Sequence, residues 1–294
     1  MYKKIYFDEI TIIGPGLIGA SIALSAKKKK IVKNVIGIDN SVTNLKTAIK
    51  IKAIDKAFTK IDNNINKSSI IFICTPVSTI PNFIKKASKF INSKAIITDV
   101  GSVKNLFSKQ FYNSINQIEN FVPGHPVAGT EFSGAKNASN ELFEGKWCLL
   151  TPEFSNKKKV NVIKNFWSCL EMNVSLMTPQ DHDKIMSMTS HLPHLIAFTI
   201  VEMVAKYNKK NNKDLMKFSA GGFRDFTRIA SSDPIMWKDI FIKNKSNMTE
   251  IIDLFIEDLL KFRSLIQSEN SIKISSLIKK SKHVRRRIVS LKQN

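Results

Sequence analysis

A glycine motif near the N-terminus, Gly14–Gly19 (GPGLIG), limits the fold of this chain more strongly than any other feature. The motif directly follows the apolar run Ile10–Ile13 and directly precedes a segment whose apolar residues have helical spacing. A G-x-G-x-x-G pattern between a strand and a helix is typical of parallel α/β sheets that bind a dinucleotide. We therefore predict a dinucleotide site where the first strand meets the first helix.

Each glycine of the motif has a separate role in such a site. Gly14 suits a tight turn, Gly16 lets the backbone approach a pyrophosphate, and Gly19 lets the helix pack closely on the strand. Backbone N–H groups at the start of the helix, at Leu17 and Ile18, then point towards the phosphates. These five residues are the first predicted cofactor contacts.

An acidic residue follows the glycines at about the 20-residue spacing of dinucleotide-binding motifs. Asp39 ends the second strand-like run, Val35–Asp39, and is predicted to accept hydrogen bonds from the adenosine ribose hydroxyls. It would repel a 2′-phosphate by about 4 kcal/mol at roughly 4 Å and an effective dielectric of about 20. The sequence therefore favours NAD over NADP, although Asp39-Asn40-Ser41 also has the composition of a solvated turn.

The two halves of the chain differ in their predicted secondary structure. Beyond Pro179 the apolar stretch His182–Tyr207 and the periodic segment Met248–Gln267 indicate helices, and the basic tail from Lys279 is expected to be solvated. The pattern predicts a doubly wound parallel α/β sheet in residues 1–177 and an all-helical second domain in residues 178–294. The strand-like runs of the first half are Ile10–Ile13, Val35–Asp39, Ile70–Thr75, Ala95–Asp99, Trp147–Leu150 and Val174–Met177.

Composition and charge argue against several classes of protein. Of the 294 residues, 43% are hydrophobic and 24% are charged, which is ordinary for a globular protein. The net charge of +22 comes mainly from lysines spread over the whole chain without interleaved aromatics, so we expect no nucleic-acid partner. No apolar run approaches the roughly 20 residues of a membrane span, and we see no export signal. Three scattered cysteines without metal-type spacing indicate the reducing cytoplasm.

Further polar segments follow predicted strands or lie in glycine-rich stretches. Thr75-Pro76-Val77 follows a buried strand and is expected at the cofactor edge of the sheet. Asp99–Lys104 is predicted to end a strand and begin a helix. For Ser102 in this segment, the alternative to a functional role is that of a simple helix N-cap. Gly124–Gly134 surrounds His125 with an irregular, glycine-rich backbone. Two more such segments lie in the helical half, Ser190–His194 and Ser219–Trp237.

Taken in order, these segments resemble the prephenate/arogenate dehydrogenase family of tyrosine biosynthesis, over most of the chain. The resemblance implies a Rossmann domain, a helical domain that makes a homodimer, and an active site in the cleft between them. It also implies NAD-dependent oxidative decarboxylation of prephenate to 4-hydroxyphenylpyruvate, or of arogenate to tyrosine. The implied substrate is thus a small anionic cyclohexadiene, and the choice between the two side chains stays open.

The resemblance also implies roles for individual residues. It implies that His125 accepts the substrate's hydroxyl proton or a hydrogen bond from it, with a structural histidine as the alternative. It implies that Ser102 orients this histidine and that Arg228 binds the ring carboxylate. The alternative for Arg228 is an ion pair with Asp225 or Glu131. Further residues implied at the substrate are His194, Ser190, Glu131, Arg224 and Trp237, and Thr130 is predicted at the cofactor.

Three other functions were weighed. A metal site at His182, His191 and His194 lacks the usual His–carboxylate spacing, and the chemistry requires no metal, so we predict none. A β-hydroxyacid-type dehydrogenase shares the glycine loop but usually has a catalytic lysine on the first long helix of its second domain, where this chain has histidines. A non-catalytic NAD sensor or basic interaction protein leaves the polar segments unexplained.

Overall fold

The computed structural model describes residues 6–107, 109–115, 118–211 and 216–290. The backbone forms two compact units, one ending at Asn244 and the other beginning at Lys245. Every residue predicted for the site belongs to the first unit. The predicted domain boundary between residues 177 and 178 is based on the change from alternating strands and helices to helices alone. The division into compact units does not test it, and it stays a prediction.

The first unit is built on a six-stranded sheet of β1 (Phe7–Ile13), β2 (Val32–Ile38), β3 (Lys56–Phe58), β4 (Ile70–Ile73), β5 (Ile96–Asp99) and β6 (Phe121–Val122). The strand order is β3-β2-β1-β4-β5-β6, and every pairing is parallel. This is the doubly wound order, which opens a crevice at the carboxyl ends of β1 and β4. The predicted fold class is confirmed, although β3 and β6 were missed because each is only two or three residues long.

Both faces of this sheet are covered, which explains its apolar strand sequences. In β4, Ile70 and Phe72 belong to one hydrophobic core, whereas Ile71 and Ile73 belong to the core on the other face. Successive side chains of a strand point to opposite faces, so a strand buried on both sides has a continuous apolar sequence. On the first face Phe72 meets Trp167 edge-on, with ring centroids 6.0 Å apart.

Helices connect the strands, and they predominate after residue 178. They are α1 (Leu17–Lys28), α2 (Val42–Lys50), α3 (Ile80–Ala87), α4 (Lys109–Asn113), α5 (Lys157–Cys169), α6 (Pro179–Met186), α7 (Leu192–Asn211), α8 (Gly221–Thr227) and α9 (Pro234–Lys243), followed in the second unit by α10 (Lys245–Gln267) and α11 (Ser271–Ser290). From α6 onward the described chain contains no strand, as predicted. Residues 279–290 of the basic tail are exposed on α11. Among the described helices, none has the length and apolar character needed to span a bilayer.

A second, smaller sheet contains β7 (Gly124–Val127), β8 (Trp147–Leu150) and β9 (Asn173–Leu176). β8 and β9 were predicted as strands and pair in parallel, but β7 pairs with β8 in the antiparallel sense. The prediction of an irregular backbone around His125 is therefore wrong for residues 124–127. Residues 124–127 form a regular strand because they pair with β8, about 25 residues further along the chain. The local glycine content does not reveal such a partner.

The chain after β5 does not enter a helix, so this second local prediction is also wrong. Residues 100–107 are irregular, and α4 begins only at Lys109. The backbone N–H groups of Lys104 and Asn105 donate to the Asp183 carboxylate, at 2.7 and 2.8 Å, and not to carbonyls of a helical turn. A carboxylate from a distant helix thus satisfies this loop, and Ser102 is not an N-cap.

The junction of α6 and α7 is a π-helical turn, Ser187–His191. Pro193 lies just beyond it and has no N–H to donate to the carbonyl four residues earlier. Loss of that bond favours a wider turn, and such turns occur often at functional sites. The structure places this π turn just before Pro193.

Candidate active site

The predicted cofactor residues of the glycine loop, Asp39 and Thr75–Val77 come together at the carboxyl ends of β1, β2 and β4, which lie side by side in the sheet. The Gly14 N–H donates to the carbonyl of Ile38, the last residue of β2, at 2.8 Å. A Cβ on Gly14 would lie 2.7 Å from the carbonyl oxygen of Cys74, just beyond β4. We call this region the cofactor edge; it includes Gly14–Gly19, Asp39 and Thr75–Val77.

The geometry of the glycines fits a dinucleotide. Gly14 has a φ of +82°, which an L side chain rarely adopts, and a Cβ on Gly19 would lie 2.5 Å from the Gly14 carbonyl oxygen. A Cβ on Gly16, in contrast, would meet no atom within 4 Å, so open space lies beside this residue. The first turn of α1 has neither a side-chain cap nor an acidic residue. Its N–H groups therefore suit a phosphate.

Asp39 is half-exposed directly after β2. Its Oδ1 accepts from the Ser41 N–H at 2.8 Å, and its Oδ2 accepts from Asn44 Nδ2 at 2.6 Å. The turn composition recognised in the sequence is therefore real, and it orients the carboxylate at the cofactor edge. Each carboxylate oxygen has a further lone pair for a ribose hydroxyl.

Helix α9 is tied to the cofactor edge. Ser78 donates to Asp239 Oδ2 from its backbone N–H at 3.2 Å and from its hydroxyl at 2.5 Å. Val77, a predicted cofactor residue, and Trp237, a predicted substrate residue, lie in one small buried cluster, which also contains Val103 and Ile240. The structure thus brings part of the predicted cofactor set and part of the predicted substrate set together.

His125 lies on β7 with 9% of its surface exposed. Its Nδ1 is 2.8 Å from Nε2 of His182, and Nδ1 of His182 is 2.8 Å from Oδ1 of Asp183. Ser102, predicted to orient His125, makes no hydrogen bond to it within the described residues. The orienting role of Ser102 stays a prediction, while the observed partner of the ring is His182.

Burial is the main reason why the pKa of His125 lies well below its ordinary value of 6.5. The positive charges of His182, Lys104 and His191 would lower this pKa further. The Lys104 ammonium is itself fully buried and pairs with Asp99 at 2.5 Å. The His125 imidazole is therefore neutral at pH 7, as a proton acceptor must be.

His194 and Trp237, two predicted substrate residues, stack on each other with ring centroids 3.8 Å apart and an interplanar angle of 23°. Nδ1 of His194 donates to the Ser190 carbonyl at 2.9 Å, so the neutral ring carries its lone pair on Nε2. Burial lowers the pKa of His194; the Ser190 carbonyl opposes this effect, and the charge of Arg228 adds to it. Nε1 of the buried Trp237 has no hydrogen-bond partner among the described residues.

Arg228 donates to Glu131 Oε2 at 2.6 Å. The alternative considered for this arginine, an ion pair with Glu131, is thus present in the structure. The Arg228 side chain is 60% exposed and that of Glu131 17%. A guanidinium has five N–H donors, so most of them remain for a second carboxylate.

Two predicted residues stand apart from these groups. Arg224 is exposed and donates to the carbonyl of Ser219 at 2.6 Å. Thr130 is exposed, and its hydroxyl accepts from the Phe132 N–H at 3.3 Å. Their roles at the substrate and the cofactor stay predictions.

Sequence reasoning missed four polar residues of the site. In the sequence, Asp99 only ends a strand, Lys104 only belongs to its segment, His182 only suggests a metal ligand, and no role is predicted for Asp183. The adjacent pair His182-Asp183 is a usable signal, because an acidic side chain beside a histidine is a common partner for its Nδ1. Within the described residues, no group of three or more His, Cys, Asp or Glu side chains is arranged to hold a metal.

The buried histidines predict how stability depends on pH. Burial lowers the pKa of His191 from 6.5 to about 4, and it also lowers the pKa values of His125, His182 and His194. At a pH between the pKa of a histidine in the folded chain and its pKa in the unfolded chain, the unfolded chain binds a proton that the folded chain excludes. The folded state therefore becomes less stable as the pH falls. We expect the free energy of unfolding to drop from pH 6.5 to 4, by about 3 kcal/mol for His191 alone.

Urea unfolding at closely spaced pH values measures this loss, and His191→Gln is expected to make it shallower. The exposed His283 serves as the matched control, since His283→Gln should leave the slope unchanged. A stability that does not change over this range would contradict neutral burial of these rings.

Comparison with known proteins adds independent support. Residues 22–176 match the sequence model described as prephenate dehydrogenase, nucleotide-binding domain, and residues 178–280 match the one described as prephenate dehydrogenase, dimerization domain. The glycine motif precedes the first match, so its assignment rests on its own geometry.

Individual relatives agree over most of the chain. A prephenate dehydrogenase from Bacillus subtilis is 35% identical over 95% of this chain and 75% of its own length. A cyclohexadienyl dehydrogenase from Zymomonas mobilis is 33% identical over 95% of both chains. The crystal structure of prephenate dehydrogenase from A. aeolicus in complex with hydroxyphenyl propionate and NAD+ covers 97% of this chain and all of its own, with a TM-score of 0.90 and 34% identity. The fold, the matched domains and these relatives together show that the chain belongs to the prephenate dehydrogenase family.

Proposed function

We propose that this protein is an NAD-dependent dehydrogenase that converts prephenate to 4-hydroxyphenylpyruvate by oxidative decarboxylation. The similarity to relatives of that name at 33–35% identity supports the reaction class. The observation that carries the proposal for this chain is the buried, neutral imidazole of His125. It is located in the same compact unit as a glycine loop that fits a dinucleotide.

The reaction explains why these residue types are needed. Prephenate is a cyclohexadiene with a hydroxyl at C4 and a carboxylate at C1, and its ring becomes aromatic when hydride and carbon dioxide leave. NAD, when bound, accepts the hydride from C4. His125 accepts the hydroxyl proton as the C4–O bond gains carbonyl character, and it returns this proton to the phenolate oxygen that forms at C4 when carbon dioxide leaves. General-base assistance of this kind contributes about 10²- to 10⁴-fold to the rate.

The other residues bind and orient the substrate in this proposal. Arg228 binds the ring carboxylate with its planar fork of donors. The stacked pair His194–Trp237 contacts the ring side chain. Ser102 orients His125 near the nicotinamide. Ser190, Glu131 and Arg224 complete the polar lining, and the cofactor contacts are Gly14, Gly16, Leu17, Ile18, Gly19, Asp39, Thr75, Pro76, Val77 and Thr130.

Arogenate is the second candidate substrate, because the Zymomonas mobilis relative is named a cyclohexadienyl dehydrogenase. Arogenate differs from prephenate only by an amino group in place of the side-chain keto oxygen. Steady-state kinetics with both substrates, each with NAD and NADP and followed by absorbance of the reduced cofactor, test the proposal. Turnover of prephenate with NAD supports it, and turnover of arogenate alone reassigns the substrate. Turnover of neither, by a folded protein that binds NAD, contradicts it.

Gly16→Ala is expected to weaken NAD binding about tenfold without loss of stability. The added methyl group meets no atom of the folded chain, but it occupies the space into which a pyrophosphate must come. Fluorescence titration with NAD and thermal unfolding measure the two effects. Gly19→Ala is the contrast, because its methyl group clashes with the Gly14 carbonyl and must lower stability by about 1–3 kcal/mol. Unchanged NAD affinity in Gly16→Ala would exclude the proposed pyrophosphate position.

Asp39→Ser is expected to shift the ratio of kcat/KM for NADP over that for NAD about tenfold towards NADP. The substitution removes the charge that repels a 2′-phosphate, but solvent screening at this half-exposed site reduces the full Coulomb effect. Kinetics with both cofactors measure the ratio, and the exposed Asp8→Ser variant is the charge-matched control. An unchanged ratio would remove Asp39 from the ribose site.

We also propose that the chain forms a homodimer through its helical half and works in the cytoplasm. The match of residues 178–280 to a dimerization-domain model supports the assembly. Exposed apolar side chains on and near α7 and α8 are consistent with a covered surface, namely Met203, Tyr207, Met216, Phe218 and Phe226. The free cysteines Cys74, Cys148 and Cys169 fit a reducing compartment. Light scattering after size-exclusion chromatography tests the dimer.

A further inference from the structure

We propose that His182 and Asp183, at the start of α6, are positioning residues that hold His125 in the tautomer with its lone pair on Nε2. This inference deepens the proposed function and rests on it only for the chemical step. Its basis is the chain of two hydrogen bonds, each 2.8 Å long, that runs from Asp183 through His182 to His125. All three side chains are buried, with 1%, 0% and 9% exposure.

The Asp183 carboxylate, at one end of this chain of hydrogen bonds, determines which atom donates in each bond. The Asp183 carboxylate only accepts: besides His182, it takes the backbone N–H groups of Lys104 and Asn105. His182 must therefore carry its proton on Nδ1, which leaves Nε2 of the neutral ring as an acceptor. His125 then has to donate from its own Nδ1. Its Nε2 is thereby bare and ready to accept a proton.

The surrounding charges support neutral rings along this chain. Burial is the largest influence on the pKa of His182 and lowers it; the hydrogen bond to Asp183 acts in the opposite direction. Lys104 lowers the pKa values of both rings, and Asp99 raises that of His182. His191 also lies near His125 and is itself neutral at pH 7. Burial raises the pKa of the neighbouring Cys148 thiol, so this group too is uncharged at pH 7. With both rings neutral, the tautomer assignment has one solution.

Asp183 also connects the chain to the loop that follows β5. The same carboxylate that orients His182 accepts from Lys104 and Asn105, just beyond Ser102. One turn of α6 therefore positions both the His125 ring and the loop that carries Ser102. When His125 accepts the substrate proton on Nε2, its Nδ1–H remains bonded to His182, and the carboxylate stabilises the new positive charge through the chain.

The tautomer is measured directly in the free protein, without substrate or cofactor. The chain has five histidines, so long-range ¹⁵N–¹H NMR of ¹⁵N-histidine-labelled protein, assigned with single variants, resolves each ring. We expect His125 to show a protonated Nδ1 and an unprotonated Nε2 at pH 7. A wild-type His125 protonated mainly on Nε2 overturns the proposal, whatever the reaction catalysed.

Kinetics of variants test the consequence for catalysis. His182→Leu removes the acceptor for His125, and we expect mixed tautomers and a kcat about 10- to 100-fold lower, with little change in KM for prephenate. His182→Gln keeps a carbonyl acceptor and should regain much of this loss, which a merely structural role would not predict. We also expect the acidic limb of the kcat–pH profile to move in His182→Leu but not in the exposed control His283→Leu.

Two outcomes of these experiments contradict the positioning role. One is a folded His182→Leu variant with unchanged kcat and tautomer, and the other is equal loss in the Leu and Gln variants. Thermal unfolding and NAD titration establish that each variant is folded. If the Leu variant does not fold, Asp183→Asn replaces it, because an amide holds His182 less firmly in its Nδ1–H form. An absence of turnover in wild type would instead contradict the proposed reaction and leave the NMR result standing.

Discussion

Replacing His125 by asparagine is expected to lower kcat about 10²- to 10⁴-fold while the protein remains folded and binds NAD normally. Asparagine is close to the imidazole in size and polarity, but it has no basic nitrogen to accept the hydroxyl proton. Steady-state kinetics with prephenate measure the loss, and thermal unfolding and NAD titration test the fold and the cofactor site. His283→Asn, on the exposed side of α11, is the matched control and should behave like wild type.

The pH dependence of the wild-type enzyme provides a second measurement of the same role. A general base must be unprotonated, so kcat falls as the pH drops through the pKa of the base. Burial holds the pKa of His125 well below 6.5, and the acidic limb of the profile is therefore expected well below that value. Near-normal turnover in His125→Asn, or an acidic limb near pH 6.5 or above, would exclude His125 as the neutral base.

Replacing Arg228 by alanine is expected to raise the KM for prephenate about 30-fold, with a smaller effect on kcat. A charged contact to a buried partner is worth about 2–5 kcal/mol, and the 60% exposure of Arg228 places it at the low end of this range. About 2 kcal/mol corresponds to the 30-fold change. Kinetics over a wide range of prephenate concentration measure KM, and the exposed Arg263→Ala on α10 is the charge-matched control.

The ion pair with Glu131 provides a second role for Arg228, which the experiment has to separate from binding of the substrate. In the structure Arg228 already donates to Glu131 at 2.6 Å, so a substrate carboxylate has to share or replace that partner. Arg228→Lys keeps the charge but loses the planar fork, and it is expected to fall between wild type and alanine. A KM that stays unchanged in both variants would mean that Arg228 only pairs with Glu131 and does not contact the substrate.

Much of the fold was predictable from the sequence because its signals are local. The run before Gly14 and the apolar residues of β4 reveal buried parallel strands, since alternate side chains pack on two faces of one sheet. Gly14 and Gly19 indicate the tight turn through positions where a side chain has no room. Asp39, directly after β2, is predicted at the ribose by its spacing from the glycines alone.

The arrangement of the site depends on contacts between residues far apart in the chain. His125 and His182 are 57 positions apart, Lys104 and Asp183 are 79 apart, and Glu131 and Arg228 are 97 apart. Their partners are set by sheet order and helix packing, which no local pattern encodes. Contacts of similarly long range explain two local failures of the sequence prediction. Asp183 binds the backbone of residues 104 and 105, which lie in a segment without a helix, and the pairing with β8 makes a strand of the segment that contains His125.

The sequence by itself therefore determined the fold class, the position of the glycine loop and the chemical types of the polar residues, because each depends on short-range spacing. Only the tertiary structure decided which nitrogen of His125 is bare, which acid Arg228 pairs with and which histidine stacks on Trp237. These choices depend on hydrogen-bond direction and on distances of a few ångströms between separate elements. They exist only once the sheet and helices have packed and water has been excluded from the groups between them.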